Sequence, residues 1–323
     1  MKYILNETPV RTSNNFRIND ITLDLNIEEK ELSELNVKGV GYKSSIKEGF
    51  NSKINLHHTK YICLDIDVLK DSDIEISGDL ETNYLVDQIN INLKENTSSN
   101  ISVRYGGEGF HSLKLCINAS KNSNSNITVM NLLSKDSMSF ISFENSIDES
   151  SNVDINFIDL GGKVKVSNYY SVLEKESSNT FNNIYIGKGS DRIDMNYHII
   201  NKGEKSNSNI EVAGALFDQS NKNFKGTIDF LKGSTRSIGY ENENCLLFSD
   251  TTISKSLPML LCHEEDVQGT HSVSTGKVDE DKLFYMTSKG IDEEDAKYLL
   301  MIGNFNKVLD KVKNKEEIIN YIK

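Results

Sequence analysis

A short phrase returns along the middle of this chain at a nearly constant interval: two polar turn-formers, then alternating apolar and polar residues. It reads Ser72-Asp73-Ile74-Glu75-Ile76, Ser99-Asn100-Ile101-Ser102-Val103, Ser125-Asn126-Ile127-Thr128-Val129 and Ser151-Asn152-Val153-Asp154-Ile155. Weaker copies follow at Ser178-Asn179-Thr180-Phe181 and Ser208-Asn209-Ile210-Glu211-Val212. The second residue of the phrase falls at 73, 100, 126, 152, 179 and 209, in steps of 26 to 30 residues. Self-similarity at such an interval marks a stacked, quasi-one-dimensional architecture.

Period-two alternation reads as a half-buried strand, and Ser, Asn and Asp before it tolerate a sharp bend. A second strand lies midway between copies, at Leu113-Lys114-Leu115, Met138-Ser139-Phe140, Val164-Lys165-Val166, Ile193-Asp194-Met195 and the run from Phe224 to Phe230. One unit is strand, turn, strand, turn. Stacked in register, such units make a mainly-β fold, a flattened parallel β-helix with two facing sheets. A leucine-rich repeat would need a regular Leu ladder, which is absent, and propeller blades need roughly 40–45 residues each. An antiparallel sandwich fits the alternation, but nothing in it requires a constant interval.

The 323 residues carry 48 acidic and 36 basic side chains, a formal net charge of −12. Such a balance argues against binding a phosphate backbone, which needs a basic face, so no nucleic-acid partner is expected. No apolar run approaches the roughly 18 residues of a membrane span, and the first residues lack a secretory apolar region. A cytoplasmic protein with no membrane partner is the expectation.

Residues 1–70 read as an irregular region with short strands, 71–275 as the β-helix core, and 276–323 as a helical tail. Asp279 is a helix N-cap, and that helix ends at Gly290. Asp292 caps a second helix with Asp295 completing an approximate capping box. Gly303 is read as its stop, with a third helix from about Asn304 and a short fourth one over 316–322. The tail either hides the last rung, docks a partner, or does both; its apolar content exceeds what one rung needs.

Of the four cysteines, Cys63 and Cys116 read as small apolar strand residues, and none forms a C-x-x-C pair. His57-His58 lie side by side on a strand and so point to opposite faces, against a shared metal. The run His263-Glu264-Glu265-Asp266 reads as a solvated turn for the same reason.

The string from His271 through Thr275-Gly276-Lys277, Leu283-Phe284-Tyr285, Gly290-Ile291 and Ala296 to Leu299-Leu300 and Gly303 resembles the carboxy-terminal signature of the SufB/SufD family. Phe224 to Ile228, Tyr240 to Asp250, Gly161 to Val164 and the Asp194–His198 spacing resemble further stretches of it, so the likeness covers about residues 155–310. The resemblance implies a right-handed parallel β-helix in a non-catalytic scaffold or scaffold partner for iron–sulfur cluster assembly. It implies pairing through the last strands, as a homodimer or with a SufB-like paralogue, and a transient iron–sulfur cluster at that junction. It also implies docking of a SufC-like ABC ATPase, which does the ATP hydrolysis, on the carboxy-terminal helices; Leu283, Phe284, Tyr285, Ile291, Leu299, Leu300 and Phe305 are the expected contacts. His271 matches the family's junction histidine, though Thr270 and Ser272 flank it where SufB has Glu, a context closer to SufD. Cys262 matches a SufB cysteine nine residues before that histidine. The SufB cysteine most often held to bind the cluster falls on Glu243 without gaps, and Cys245 lies two residues on, on the same strand face. No cysteine occurs in 117–244, where SufB has its sulfur acceptor, and a short or minimal version of the family, without its usual amino-terminal extension, is the expectation. His271, Cys245, Cys262 and Glu243 are thus the expected ligands, a mixed set suited to a cluster that must be released. A SufD-like subunit that binds the ATPase and holds no cluster is the alternative.

Overall fold

The computed structural model describes residues 2–12, 14–313 and 315–323. Strands β1 (Lys2–Leu5) and β2 (Ile21–Asp24) form a small antiparallel ribbon. Next come β3 (Leu35–Lys38) and β4 (Tyr42–Asn51), each of which pairs antiparallel at the start of a larger sheet. From there the chain coils through β5 (His57–Val68), β6 (Ser72–Leu80), β7 (Tyr84–Leu93), β8 (Ser98–Gly107), β9 (Phe110–Ala119), β10 (Asn124–Asn131), β11 (Met138–Ile147) and β12 (Asn152–Asp159). It continues through β13 (Val164–Leu173), β14 (Ser178–Gly187), β15 (Arg192–Asn201), β16 (Asn207–Leu216), β17 (Asn221–Phe230), β18 (Ile238–Leu247), β19 (Ile253–Cys262) and β20 (Gln268–Lys277). From β5 on, each strand pairs in parallel with the strand two later. Two nine-stranded sheets result: a front sheet running from β3 through the even strands to β20, and a back sheet running from β4 through the odd strands to β19. The expected parallel β-helix with two facing sheets is therefore the fold.

The register refines the repeat. Paired positions along the front sheet are 73, 100, 126, 154, 180, 209, 240 and 270. The copy at Asn152 thus sits two residues out of step, since Asn152 pairs with Asn124. A two-residue slip keeps every side chain on its own face, so the alternation could not reveal it. The corners before the even strands from β8 to β18 carry the period more faithfully. Asn96, Asn122, Ser150, Glu176, Lys205 and Arg236 all take positive φ there, and the N–H groups of these residues donate to carbonyls of the next rung. The Asn-rich composition has an equally local cause: side chains of equivalent residues bond along the stack, as in Asn182 to Asn156 (2.9 Å) and Asn152 to Asn124 (3.1 Å).

Between the sheets lies a continuous apolar core with a run of stacked aromatics: Phe143, Phe157, Tyr169, Phe181, Tyr197 and Phe224. Each outer face is partly covered too. The amino-terminal segment lies on the back sheet, where Leu5, Leu23, Ile54 and Leu56 meet Val86, Phe110 and Phe140. Asn6 pins it there, its amide donating to Ser167 O and Asp194 Oδ1 while buried Lys225 donates to Asn6 O.

Helices α1 (Glu280–Ser288), α2 (Glu293–Leu309) and α3 (Lys315–Ile322) form the tail. Asp279 caps α1 by accepting from Lys282 N; Asp292 occupies the N-cap position of α2 but makes no side-chain cap bond. Helix α2 runs straight through Gly303, against the expected stop. A mid-helix glycine costs only about 1 kcal/mol relative to Ala. Met301, Phe305, Val308 and Leu309, on both sides of it, are buried against the front sheet and outweigh that cost. The tail lies on the outer face of the front sheet, over Met130, Leu132, Ile158, Leu160, Ile184, Ile186, Ala213 and Ala215. It does not close the end of the coil: every residue of β20 is exposed. Among the described residues, no helix is long and apolar enough to cross a membrane.

Candidate functional site at the terminal rung

Strands β19 and β20 end their sheets, so each leaves one edge of backbone donors and acceptors unpaired. Residues 241, 243 and 245 of β18 share a face, and burial of Glu241, Glu243 and Cys245 shows that this face looks into the coil. His271 lies beside Glu241 in register, Val273 beside Glu243 and Thr275 beside Cys245. His271 therefore stands on the inward-facing row of the last strand, next to Glu241 and close to Glu243, while itself exposed.

Glu243 is fully enclosed and heavily bonded. It forms an ion pair with Lys222, whose side chain is also fully buried. Tyr185 donates to its Oε1 (3.1 Å) and Ser256 to its Oε2. Tyr185 belongs to β14, two front strands away, and reaches Glu243 because Gly214 of the intervening β16 has no side chain; a Cβ there would lie 2.0 Å from the tyrosine ring. Cys245 neighbours Tyr185, Lys222 and Ser254, and burial holds its thiol above the usual pKa in spite of Lys222. A buried neutral thiol must lose its proton on binding iron.

Cys262 lies elsewhere. Cys245 is beside Ser254, near the start of β19, whereas Cys262 ends that strand and is exposed. Residues 254 to 262 span roughly 26 Å of extended chain. His271 adjoins Glu241, stands two positions along from Glu243 and four, roughly 13 Å, from Cys245, while Cys262 lies at the opposite end of β19 from Cys245. Among the described residues no three His, Cys, Asp or Glu side chains already converge on one ion. Elsewhere, His57 is exposed while His58 is buried, its pKa pushed down to about 4 by burial, with Tyr84 at 3.3 Å. Cys63 is buried beneath the amino-terminal segment, and the Cys116 thiol is pushed up to about 11 by burial.

Sequence reasoning singled out neither Glu241 nor Lys222. Glu241 has the clearer signal, since it stands two residues before Glu243 on the same face. Its carboxyl lies over Gly226, where a Cβ would come within 2.0 Å of Oε1, and both its oxygens are buried without a partner. Burial, with a smaller contribution from Glu243, lifts its pKa from about 4.5 to about 8. The folded chain then holds a proton that the unfolded chain releases. Stability is full below the unfolded pKa and falls as pH rises towards 8, by up to about 1.4 kcal/mol per pH unit. Glu241→Gln is expected to flatten this slope: urea unfolding should find variant and parent alike near pH 4.5 and the variant more stable at pH 8. Equal pH slopes would refute a buried, protonated Glu241.

On the tail, Phe284 is 75% exposed, Tyr285 62% and Leu299 47%. Leu283, Ile291 and Leu300 are half-buried. Phe305 is fully buried against the front sheet, so it supports the helix rather than facing solvent.

The family model for the SufBD core domain of the SUF system of FeS cluster assembly matches residues 76–304. The iron-sulfur cluster assembly protein SufD of Bacillus subtilis is 27% identical over 129 residues, 40% of this chain and 30% of that protein. An iron-sulfur cluster assembly SufBD family protein of Synechocystis is 25% identical over 132 residues, 41% of this chain and 28% of its own length. The SufD of Escherichia coli is 26% identical over 84 residues, 26% of this chain and 20% of its own. This chain thus aligns with less than a third of the length of each. The matched span runs from β6 into α2 and takes in the terminal rung, and by it the chain belongs to the SufBD core family of the iron–sulfur cluster assembly system.

Proposed function

We propose that this protein is a scaffold, or the scaffold's partner, in iron–sulfur cluster assembly. It dimerises through β19 and β20 and docks a SufC-like ABC ATPase through its carboxy-terminal helices; ATP hydrolysis belongs to that partner. The observation that carries this reading is the open terminal rung, where exposed His271 adjoins the inward row of Glu241, Glu243 and Cys245 at two unpaired sheet edges. A twofold partner would present each of these groups a second time. The cluster is cargo, and nitrogen and carboxylate ligands bind it more loosely than an all-thiolate cage.

Two measurements test the proposal. Light scattering should give the mass of a dimer. Anaerobic reconstitution with iron and sulfide should give visible absorption that is lost in the Cys245→Ala/Cys262→Ala/His271→Ala variant. A monomer, or a cluster held equally well by the triple variant, would defeat it. The second reading, a SufD-like subunit that holds no cluster, is favoured by the enclosure of Cys245 and by the bonds that already occupy Glu243. Co-purification with the ATPase without visible absorption selects it.

A further inference from the structure

Three polar side chains stand on the outer face of the back sheet, away from the terminal rung's interior. His198 of β15, Asp229 of β17 and His263, just past β19, lie on one diagonal across three neighbouring strands. His198 Nε2 is 3.5 Å from Asp229 Oδ2, and His263 Nε2 is 3.9 Å from Asp229 Oδ1. The Asp229 side chain is only 12% exposed, and that of His198 13%.

Hydrogen bonding does not account for the group. His198 Nε2 and Asp229 Oδ1 are both buried without a hydrogen-bond partner, and so is Thr227 Oγ1, beside His198 in register. Both cations of the same strand are committed elsewhere, Lys225 to Asp194 and Asn6 and Lys222 to Glu243. A carboxylate so enclosed is costly without donors or a cation. The observed separations suit a different bond. Two ligands held at about 2.1 Å on one tetrahedral ion lie about 3.4 Å apart. His198 and Asp229 already have that spacing, and the His198 ring is steadied edge-on by Tyr170 at 5.7 Å.

We infer that His198, Asp229 and His263 form a site for a divalent first-row transition-metal ion. Two imidazoles and one carboxylate are a ligand set that such ions accept, with water filling the open positions. His198 and Asp229 are preset by the sheet. His263 supplies the third ligand by rotating its side chain, which is 62% exposed. The site is independent of whether the terminal rung holds a cluster.

The probe is Co²⁺ alone, added to the full chain under anaerobic conditions and followed by its visible d–d bands and by calorimetry. One ion per chain is expected, with nitrogen and oxygen ligation and no thiolate charge-transfer band. His263→Ala should weaken binding at least about tenfold, by the scale of losses at metal sites. It lies on an exposed corner, so thermal unfolding should be unchanged; Asp229→Asn should abolish binding. The Cys262→Ser/His271→Ala variant should bind as the parent does. Absence of uptake would reduce the trio to a plain ion pair and overturn the inference. So would binding that survives Asp229→Asn, or binding lost with Cys262 and His271.

Discussion

Lys222→Met is expected to cost the fold about 3–5 kcal/mol, the usual penalty for stranding one charge of a buried pair. Lys222 and Glu243 are both fully buried between the sheets, and in the variant Glu243 would keep only Tyr185 and Ser256 as donors. Urea unfolding measures the loss as a fall in midpoint. Lys222→Met/Glu243→Gln should recover most of it, because a neutral amide is far cheaper to bury than an unpaired carboxylate. If the double variant is as unstable as the single one, packing of the lysine stem, and not the charge, sets the cost. The pair also bears on the proposed cargo. Any iron that takes Glu243 has to draw it away from Lys222, so the ion pair is both a support of the last rungs and a barrier to ligation. In the double variant that barrier is gone along with the carboxylate, which leaves Cys245, Cys262 and His271 as the proposed ligands of this chain.

The coil was legible because its cause is local. Every rung needs a bend, an alternating strand, a second bend and a second strand, and Ser-Asn followed by Ile-x-Val spells that out. The exact register was not, because Asn152 and Asp154 serve equally well on the same face. The resting place of the tail also left a trace. The segments Ile127 to Leu133, Ile155 to Leu160 and Ile184 to Ile186 break the alternation and carry apolar side chains at adjacent positions (Val129-Met130, Leu132-Leu133, Phe157-Ile158, Ile184-Tyr185-Ile186). Strands covered on both faces read that way, and these are the rungs beneath α2 and α3. At the terminal rung, the shared face of Glu243 and Cys245 could be read from their spacing. Lys222 could not, since a lysine between two asparagines looks solvated until Phe224, two residues on, is seen to fix its parity inward.

Phe305→Ala is the sharpest way to separate support from docking on the tail. Phe305 is fully buried where α2 meets the front sheet, in the apolar cluster that also holds Ile184, Ala213, Ala215, Met301 and Val308. Truncating a buried phenylalanine removes its transfer free energy and leaves a cavity, about 3–5 kcal/mol together. Polar tethers would remain, among them Asn304 Nδ2 to Gly214 O at 3.1 Å, Tyr321 OH to Leu133 O at 2.7 Å, Arg104 to Glu317 at 2.7 Å, Lys307 to Glu211 and Lys311 to Asn182 at 2.9 Å. Each such bond contributes only about 1 kcal/mol net, too little to hold two helices without their apolar face, so the expected result is local. Hydrogen exchange over α2 and α3 should accelerate while the rungs between β7 and β15 stay protected. Phe284→Ala/Tyr285→Ala should do the reverse. Those two side chains are mostly exposed on α1, so thermal unfolding should stay within a degree or two, since exposed positions rarely change stability by more than about 0.5 kcal/mol. Yet co-purification with the ATPase should fail. If the α1 variant still binds the ATPase as the parent does, the docking face lies elsewhere on the molecule. If Phe305→Ala leaves helix exchange unchanged, the contact between tail and sheet is weaker than its burial implies.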